Sequence, residues 1–194
     1  MGKAQNAKYY NKQFEKHKKY STPYKKVKYY KMWCKAYGWV KKYEDKFYPR
    51  SIIELGCGTG QFAHLLYDKK IRQYIGYDFS DVAIGKARKF SPMDFRTADI
   101  YGVNISVDNL IICLETLEHI DDTALLMRIP AGANMIISVP NFDNPAHVRY
   151  FKNMEAVKNR YKKMIDIKEI IKFNGMYYLF RGKRTEYIPS RSIK

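Results

Sequence analysis

Ser51-Ile52-Ile53-Glu54-Leu55-Gly56-Cys57-Gly58-Thr59-Gly60-Gln61-Phe62 is the stretch on which the fold turns. Its first five residues read as a short apolar strand, its glycines as a tight turn, and Phe62, Leu65 and Leu66 share one face of the helix that follows. Without side chains at 56, 58 and 60 the backbone turns sharply, and a ligand can approach its amides and the helix N-terminus. The spacing is Gly-x-Gly-x-Gly, with Gln61 where a dinucleotide fingerprint has its last glycine. Glu54 stands two positions before the first glycine. A carboxylate there repels a pyrophosphate and suits a ligand that carries an ammonium group.

Downstream, the pattern repeats. Tyr74-Ile75-Gly76-Tyr77 is a second strand ending at Asp78, and Ser80 caps a helix bearing Val82, Ile84 and Ala87. Further strands fit near Phe95 to Ala98, from Leu110 to Leu114 and from Asn134 to Val139. Strands alternating with helices predict a parallel sheet covered on both faces, an α/β Rossmann-like fold. Met154 to Tyr161 reads as helical. Ile165 to Phe173 and Met176 to Phe180 are then strand-like runs joined by Asn174-Gly175, and Asn-Gly predicts an antiparallel hairpin because both positions need positive φ. Upstream, Thr22-Pro23 reads as a helix start, with Val27, Tyr30, Trp33, Tyr37 and Val40 on one face.

Charge divides the chain better than any linker. Of the net +17, residues 1–50 hold 15 basic and 3 acidic side chains, residues 145–194 hold 13 and 4, and residues 51–144 hold 8 and 12. The first 50 residues also carry 9 of the 18 tyrosines and both tryptophans, too many aromatics for a solvated polybasic tail. Residues 1–48 are therefore expected to form a basic, aromatic-rich helical extension or lid, and residues 49–194 the main domain. No apolar run approaches the roughly 20 residues of a membrane span. Three scattered cysteines, Cys34, Cys57 and Cys113, support neither a disulfide framework nor a zinc knuckle, and a cytoplasmic location is expected.

Glu54 to Gly60, Tyr77-Asp78-Phe79-Ser80 and Ala98-Asp99-Ile100 resemble successive motifs of class I S-adenosylmethionine-dependent methyltransferases. That ligand has an ammonium group, a sulfonium cation and no phosphate, which agrees with Glu54. The resemblance implies a seven-stranded, mostly parallel sheet whose last strand is antiparallel. It places Glu54, Gly56, Gly58 and Gly60 around the methionine moiety, Asp78 at the ribose, and Asp99 with Ile100 at the adenine. Cys57, Phe79 and Leu114 complete the expected cofactor set. Read from its position alone, Asp99 could accept the adenine amino group, the alternative being an ordinary strand-end turn residue.

At the fourth strand the chain reads Leu114-Glu115-Thr116-Leu117-Glu118-His119. The Asp/Asn-Pro-Pro-aromatic tetrapeptide of enzymes that methylate exocyclic base amines is absent, as is any Pro-Cys dipeptide for pyrimidine C5 chemistry. Glu-x-x-Glu-His resembles two metal-dependent O-methyltransferase groups, those acting on the 3′-terminal ribose of small RNAs and those of ubiquinone biosynthesis. The resemblance implies Glu115, Glu118, His119 and, after the fifth strand, His147 as ligands of a divalent metal. Two further roles stay open: the glutamates as pocket lining, and His119 with Glu115 as catalytic groups without metal. The expected function is methyl transfer to an oxygen, rather than a nitrogen, of a small or medium acceptor. The alternatives are a nucleic-acid (RNA ribose 2′-O) methyltransferase using the basic termini, and a non-catalytic cofactor-binding subunit.

Overall fold

The computed structural model describes residues 2–47 and 51–187, so the boundary expected after residue 48 lies outside the described residues. Seven strands form one sheet: β1 (Ile52–Leu55), β2 (Tyr74–Asp78), β3 (Asp94–Thr97), β4 (Leu110–Leu114), β5 (Asn134–Pro140), β6 (Ile165–Phe173) and β7 (Tyr177–Arg184). Their order is β3-β2-β1-β4-β5-β7-β6. β1 to β5 pair in parallel, and β7 runs antiparallel to both neighbours. The mostly parallel sheet with an antiparallel C-terminal hairpin is thus observed as the sequence implies. Asn174 and Gly175 have φ of 49° and 67°, and the Met176 N–H closes the turn on the Phe173 carbonyl at 2.9 Å.

The strand pleat sorts side chains into two cores. Ile52, Leu110, Ile112, Ile136 and Leu179 face α2 (Tyr30–Phe47), α3 (Gln61–Asp68) and α4 (Asp81–Phe90). Ile53, Ile111, Cys113, Ile137 and Phe180 face α5 (Asp122–Arg128) and α6 (Met154–Tyr161). α2 contributes Met32, Trp33, Ala36, Trp39, Val40 and Tyr43 to the first core, all buried. Its apolar face is part of the sheet's covering layer, and its lysines Lys31, Lys41 and Lys42 point outward.

The N-terminal region corrects one expectation. The helix read from Pro23 begins only at Tyr30; Tyr24–Lys26 is a separate 3-10 turn, and Val27 is extended at ψ 152°. Thr22 caps nothing ahead of it, because its hydroxyl donates back to the Lys18 carbonyl at 3.1 Å. Tyr24 fixes the turn instead: its ring is buried and its hydroxyl donates to Asp68 at 2.7 Å. An additional helix, α1 (Ala7–Lys16), precedes it, capped by the Asn6 side chain accepting the Tyr9 N–H at 3.0 Å. Among the described residues no helix is long and apolar enough to cross a membrane.

Candidate active site

β1 and β4 lie where the chain's winding direction reverses, and a cavity of about 640 Å³ opens over the carboxyl ends of the strands there. The glycine turn forms its floor. Gly56 has φ 79°, and a Cβ on it would lie 2.5 Å from Thr116 Oγ1. Gly60, the N-cap of α3, has φ 70°, and its Cβ would lie 2.8 Å from Ala87 and Phe95. At both positions a left-handed backbone and a crowded neighbour require glycine. The Gly56 and Cys57 N–H groups donate to the Tyr77 carbonyl at 2.8 and 2.9 Å, which tethers the turn to the end of β2.

Asp78 binds turn and helix together. Its Oδ2 accepts the Gly58 N–H and its Oδ1 accepts the Ser80 N–H, each at 2.9 Å. Burial raises its pKa to about 6 although both bonds pull it down. Burial likewise raises Glu54 to about 8, opposed by the Tyr74 hydroxyl that donates to it. Asp99 is exposed at the cavity wall, and its Oδ1 accepts the Tyr101 N–H at 3.0 Å, capping a 3-10 turn that starts at Ile100. Of the expected cofactor residues, Glu54, Gly56, Cys57, Gly58, Asp78, Phe79, Asp99, Ile100 and Leu114 line this single cavity, and Gly60 lies behind it.

The end of β4 supplies the other half. Glu115 sits at φ 53°, a left-handed conformation rare for a non-glycine residue and often kept at functional sites. Ser138 on β5 clamps it: the hydroxyl donates to the Glu115 carboxylate at 2.7 Å and accepts its N–H at 2.9 Å. Burial raises Glu115 to about 7, while the Ser138 bond and the charge of Lys28 pull it down. Glu118, on the 3-10 turn Leu117–His119, is fully buried, and neither carboxylate oxygen has a hydrogen-bond partner. Burial and the nearby Glu115 push its pKa up.

Two imidazoles face that carboxylate. His119 donates Nδ1–H to the Ala146 carbonyl at 2.9 Å, and His147 donates Nδ1–H to the Phe142 carbonyl at 3.2 Å, so each keeps its Nε2 lone pair free. Burial lowers both pKa values, His119 to about 4. One donor atom each from Glu118, His119 and His147 lies within 4.8 Å of the others. Glu115 stands outside this trio, its left-handed backbone having turned its carboxylate to Ser138. The loop carrying His147 is stitched to the 3-10 turn by Val148 N–H donating to the Glu118 carbonyl at 2.8 Å and by Arg149, whose guanidinium donates to Leu117 and Ile120 carbonyls and pairs with buried Asp122 at 3.3 Å.

The N-terminal segment roofs the cavity. Tyr10 on α1 sets its ring edge-on to Phe79 at 5.5 Å and to His119 at 5.7 Å, spanning both halves of the site. Gly2 N–H donates to the His147 carbonyl at 2.8 Å, Asn11 Nδ2 donates to Asp81 at 2.8 Å, and Lys86 donates to the Phe14 carbonyl at 2.5 Å. The sequence reading missed these roof residues, together with Ser138, Lys19 and Lys28. Asn6 three residues before Tyr9, followed by Tyr10 and Phe14 at helical spacing, is the signal from which α1 was legible.

A family model described as a methyltransferase domain matches residues 28–173. Trans-aconitate 2-methyltransferase of Acidovorax sp. (strain JS42) is 36% identical over 109 residues, covering 51% of this chain and 42% of its own. Small RNA 2′-O-methyltransferase of Xenopus tropicalis is 25% identical over 134 residues, covering 57% of this chain and 36% of its own. The match to this chain thus spans less than half the length of either relative. In fold, the chain is similar to magnesium protoporphyrin IX methyltransferase of Synechocystis PCC 6803 solved with bound S-adenosylhomocysteine, with a TM-score of 0.62, 14% identity, and coverage of 80% of this chain and 82% of that one.

Proposed function

The chain belongs to the methyltransferase-domain family, as a class I S-adenosylmethionine-dependent methyltransferase, and from this premise we propose that it moves a methyl group to an oxygen of a small or medium-sized acceptor. The residues present fit the methyl donor. A glycine-floored cavity holds Glu54, Asp78 and Glu115, carboxylates that favour a cationic ligand and disfavour a phosphate. Bound there, S-adenosylmethionine supplies a methyl group already activated on a sulfonium. Asp78 would hold the ribose, Asp99 the adenine and Glu54 the ammonium end. The Tyr10 ring covers the space between Phe79 and His119 and would limit the access of water there. Glu115, fixed by Ser138 and with its pKa raised to about 7, would take the proton of an acceptor hydroxyl.

One observation carries the oxygen-directed reading: the fully buried Glu118 carboxylate with two unpartnered oxygens, beside two histidines oriented by backbone carbonyls. A buried carboxyl without hydrogen-bond partners is costly, and a backbone carbonyl accepting Nδ1–H is the usual outer shell of a metal-ligating imidazole. Glu118, His119 and His147 fit a divalent ion in their donor chemistry. An ion held there would lower the pKa of an acceptor hydroxyl.

The small RNA relative and the lysine-rich N-terminal layer favour a second reading, methylation of an RNA ribose 2′-oxygen. Purified protein, labelled methyl donor and separate small-molecule, RNA and DNA fractions test both. Label in the small-molecule fraction, lost on adding chelator and restored by manganese or magnesium, is the expected result. Label confined to RNA, with affinity falling steeply as salt rises, would replace the first reading by the second. Label on a nitrogen would overturn the oxygen assignment.

A further inference from the structure

One wall of the cavity is built from aromatic rings. Among its described lining residues ten carry a phenyl, phenol or indole ring and three are branched aliphatic, and two of those three, Ile100 and Leu114, belong with the expected cofactor residues. Tyr29, Trp33 and Phe142 form a compact group within that wall. The Trp33 N–H donates to the Tyr29 carbonyl at 2.9 Å, and one helical turn apart the two side chains stack at 5.5 Å with 24° between planes. Tyr177, buried behind them, sets its ring 5.2 Å from Tyr29 and 5.5 Å from Phe142. Phe142 in turn lies 5.4 Å from His147, one of the two imidazoles beside Glu118. Lys28 Nζ is 5.1, 5.3 and 5.6 Å from the centroids of Tyr29, Tyr177 and Phe142, so the place where these rings attract a cation is taken by the protein's own ammonium group. Trp33 is 7% exposed, yet its indole N–H has no hydrogen-bond partner among the described residues. A buried donor left unpaired is costly, and on a cavity wall it calls for an oxygen brought by a ligand.

We infer that Tyr29, Trp33 and Phe142 seat a small aromatic acceptor, so that the oxygen to be methylated is that of a phenol. This rests on the oxygen-directed reading proposed above. A planar ring gains stacked and edge-to-face contacts from such a wall, which a puckered saturated ring of the same size does not. An amine acceptor would bring a second cation against Lys28, whereas a phenol that loses its proton gains a favourable charge partner there. In the transfer the phenol oxygen bonds to the methyl carbon as the carbon–sulfur bond breaks. The electron pair of that bond passes to sulfur, leaving the neutral thioether of S-adenosylhomocysteine, and the hydroxyl proton passes to the Glu115 carboxylate. The cavity of about 640 Å³ has to hold donor and acceptor together, which keeps the acceptor small.

The test is a calorimetric titration of the S-adenosylhomocysteine-loaded protein with phenol, catechol and 2-naphthol, against cyclohexanol, 1,2-cyclohexanediol and decahydro-2-naphthol. At least one phenol is expected to bind tenfold or more tightly than its saturated counterpart. Tyr29→Leu weakens that preference, Tyr29→Phe retains it, and S-adenosylhomocysteine affinity serves as the control for folding in each variant. Absence of binding by every phenol, equal binding of the aromatic and saturated members, or a preference that survives in the Tyr29→Leu/Phe142→Leu double variant overturns the inference. Capture of an RNA oligonucleotide in place of the phenols also overturns it. Failure of the wild type to bind S-adenosylhomocysteine would instead strike the proposed function, so the two failures are distinguishable.

Discussion

The imidazoles of His119 and His147 stand edge to face, 4.9 Å between ring centroids and 68° between planes, with their Nδ1 atoms turned away onto backbone carbonyls. One donor atom from each imidazole and one from the Glu118 carboxylate lie within 4.8 Å of one another. Glu118→Gln is therefore expected to lower the affinity for Mn2+ or Zn2+ at least tenfold by calorimetry. It should leave the thermal midpoint of the metal-free protein unchanged, because burial already holds Glu118 toward its uncharged form and the amide adds no buried charge. Unaltered metal affinity in a folded variant would refute the three-donor reading.

Asp78 accepts from the Gly58 and Ser80 N–H groups and faces the cavity with what remains of its lone pairs. Charge-assisted hydrogen bonds to a ligand hydroxyl are worth about 1.5 to 3 kcal/mol each. Asp78→Asn keeps the shape and removes the charge, and S-adenosylhomocysteine affinity should fall tenfold or more. A calorimetric Kd equal to that of the wild type would show that the ribose assignment is wrong.

Tyr10 bridges the two halves of the site through edge contacts to Phe79 and His119. Aromatic pairs of this kind contribute about 0.5 to 1.5 kcal/mol each. Tyr10→Ala should speed the release of labelled S-adenosylhomocysteine roughly tenfold in a displacement assay. A release rate like that of the wild type would mean the roof does not hold the ligand.

Stability should depend on pH in a direction fixed by burial. Glu54, Asp78 and Glu115 have folded pKa values raised to about 8, 6 and 7. Their protonated forms are favoured in the fold, so their contribution is complete below the unfolded values near ~4 and is lost as pH rises through the folded ones. His119, lowered to about 4, acts oppositely, and its penalty is gone once pH exceeds its unfolded value of roughly 6.5. Between pH 6.5 and 8 the ligand-free protein should therefore lose thermal stability, and Glu54→Gln should flatten that slope. A wild-type midpoint that rises across this window contradicts the burial argument.

Gly56→Ala places a Cβ 2.5 Å from Thr116 Oγ1 on a backbone with φ 79°. A left-handed non-glycine residue costs about 1 to 3 kcal/mol before any clash is counted. The variant should unfold at lower denaturant with an unchanged m-value, and a midpoint equal to that of the wild type would refute the crowding.

The sheet was legible because its signals are local. Gly56 to Gly60 after an apolar strand, Asp78 at a strand end and Asn174-Gly175 each demand a backbone geometry that few other residues satisfy. The residues expected to hold the cofactor, Gly60 apart, line one cavity for the same reason, since the ends of parallel strands meet there. What stayed hidden depends on contacts distant in sequence. Ser138 clamps Glu115 across two strands, and Tyr10 reaches His119 only because α1 folds back over the sheet. The Glu-x-x-Glu-His spacing puts Glu115 in the expected metal set, but the cluster within 4.8 Å holds Glu118, His119 and His147, and the left-handed φ of Glu115 is not visible in sequence.

The hairpin of β6 and β7 does more than finish the sheet. Its turn lies at the same end as the cavity, where Asn174 donates to the Lys28 carbonyl at 3.3 Å, Asn141 donates to the Gly175 carbonyl at 2.5 Å, and Tyr177 packs on Tyr29 and Phe142. The glycine turn and Asp78 are built by β1 and β2, on the other side of β4. The glycine turn and the hairpin thus border the pocket from opposite sides of β4 within one sheet. Remodelling the hairpin turn, in evolution or by design, alters the wall around Lys28 and Tyr29 while leaving the glycine turn and Asp78 intact, so one side of this cavity can be reshaped without rebuilding the core.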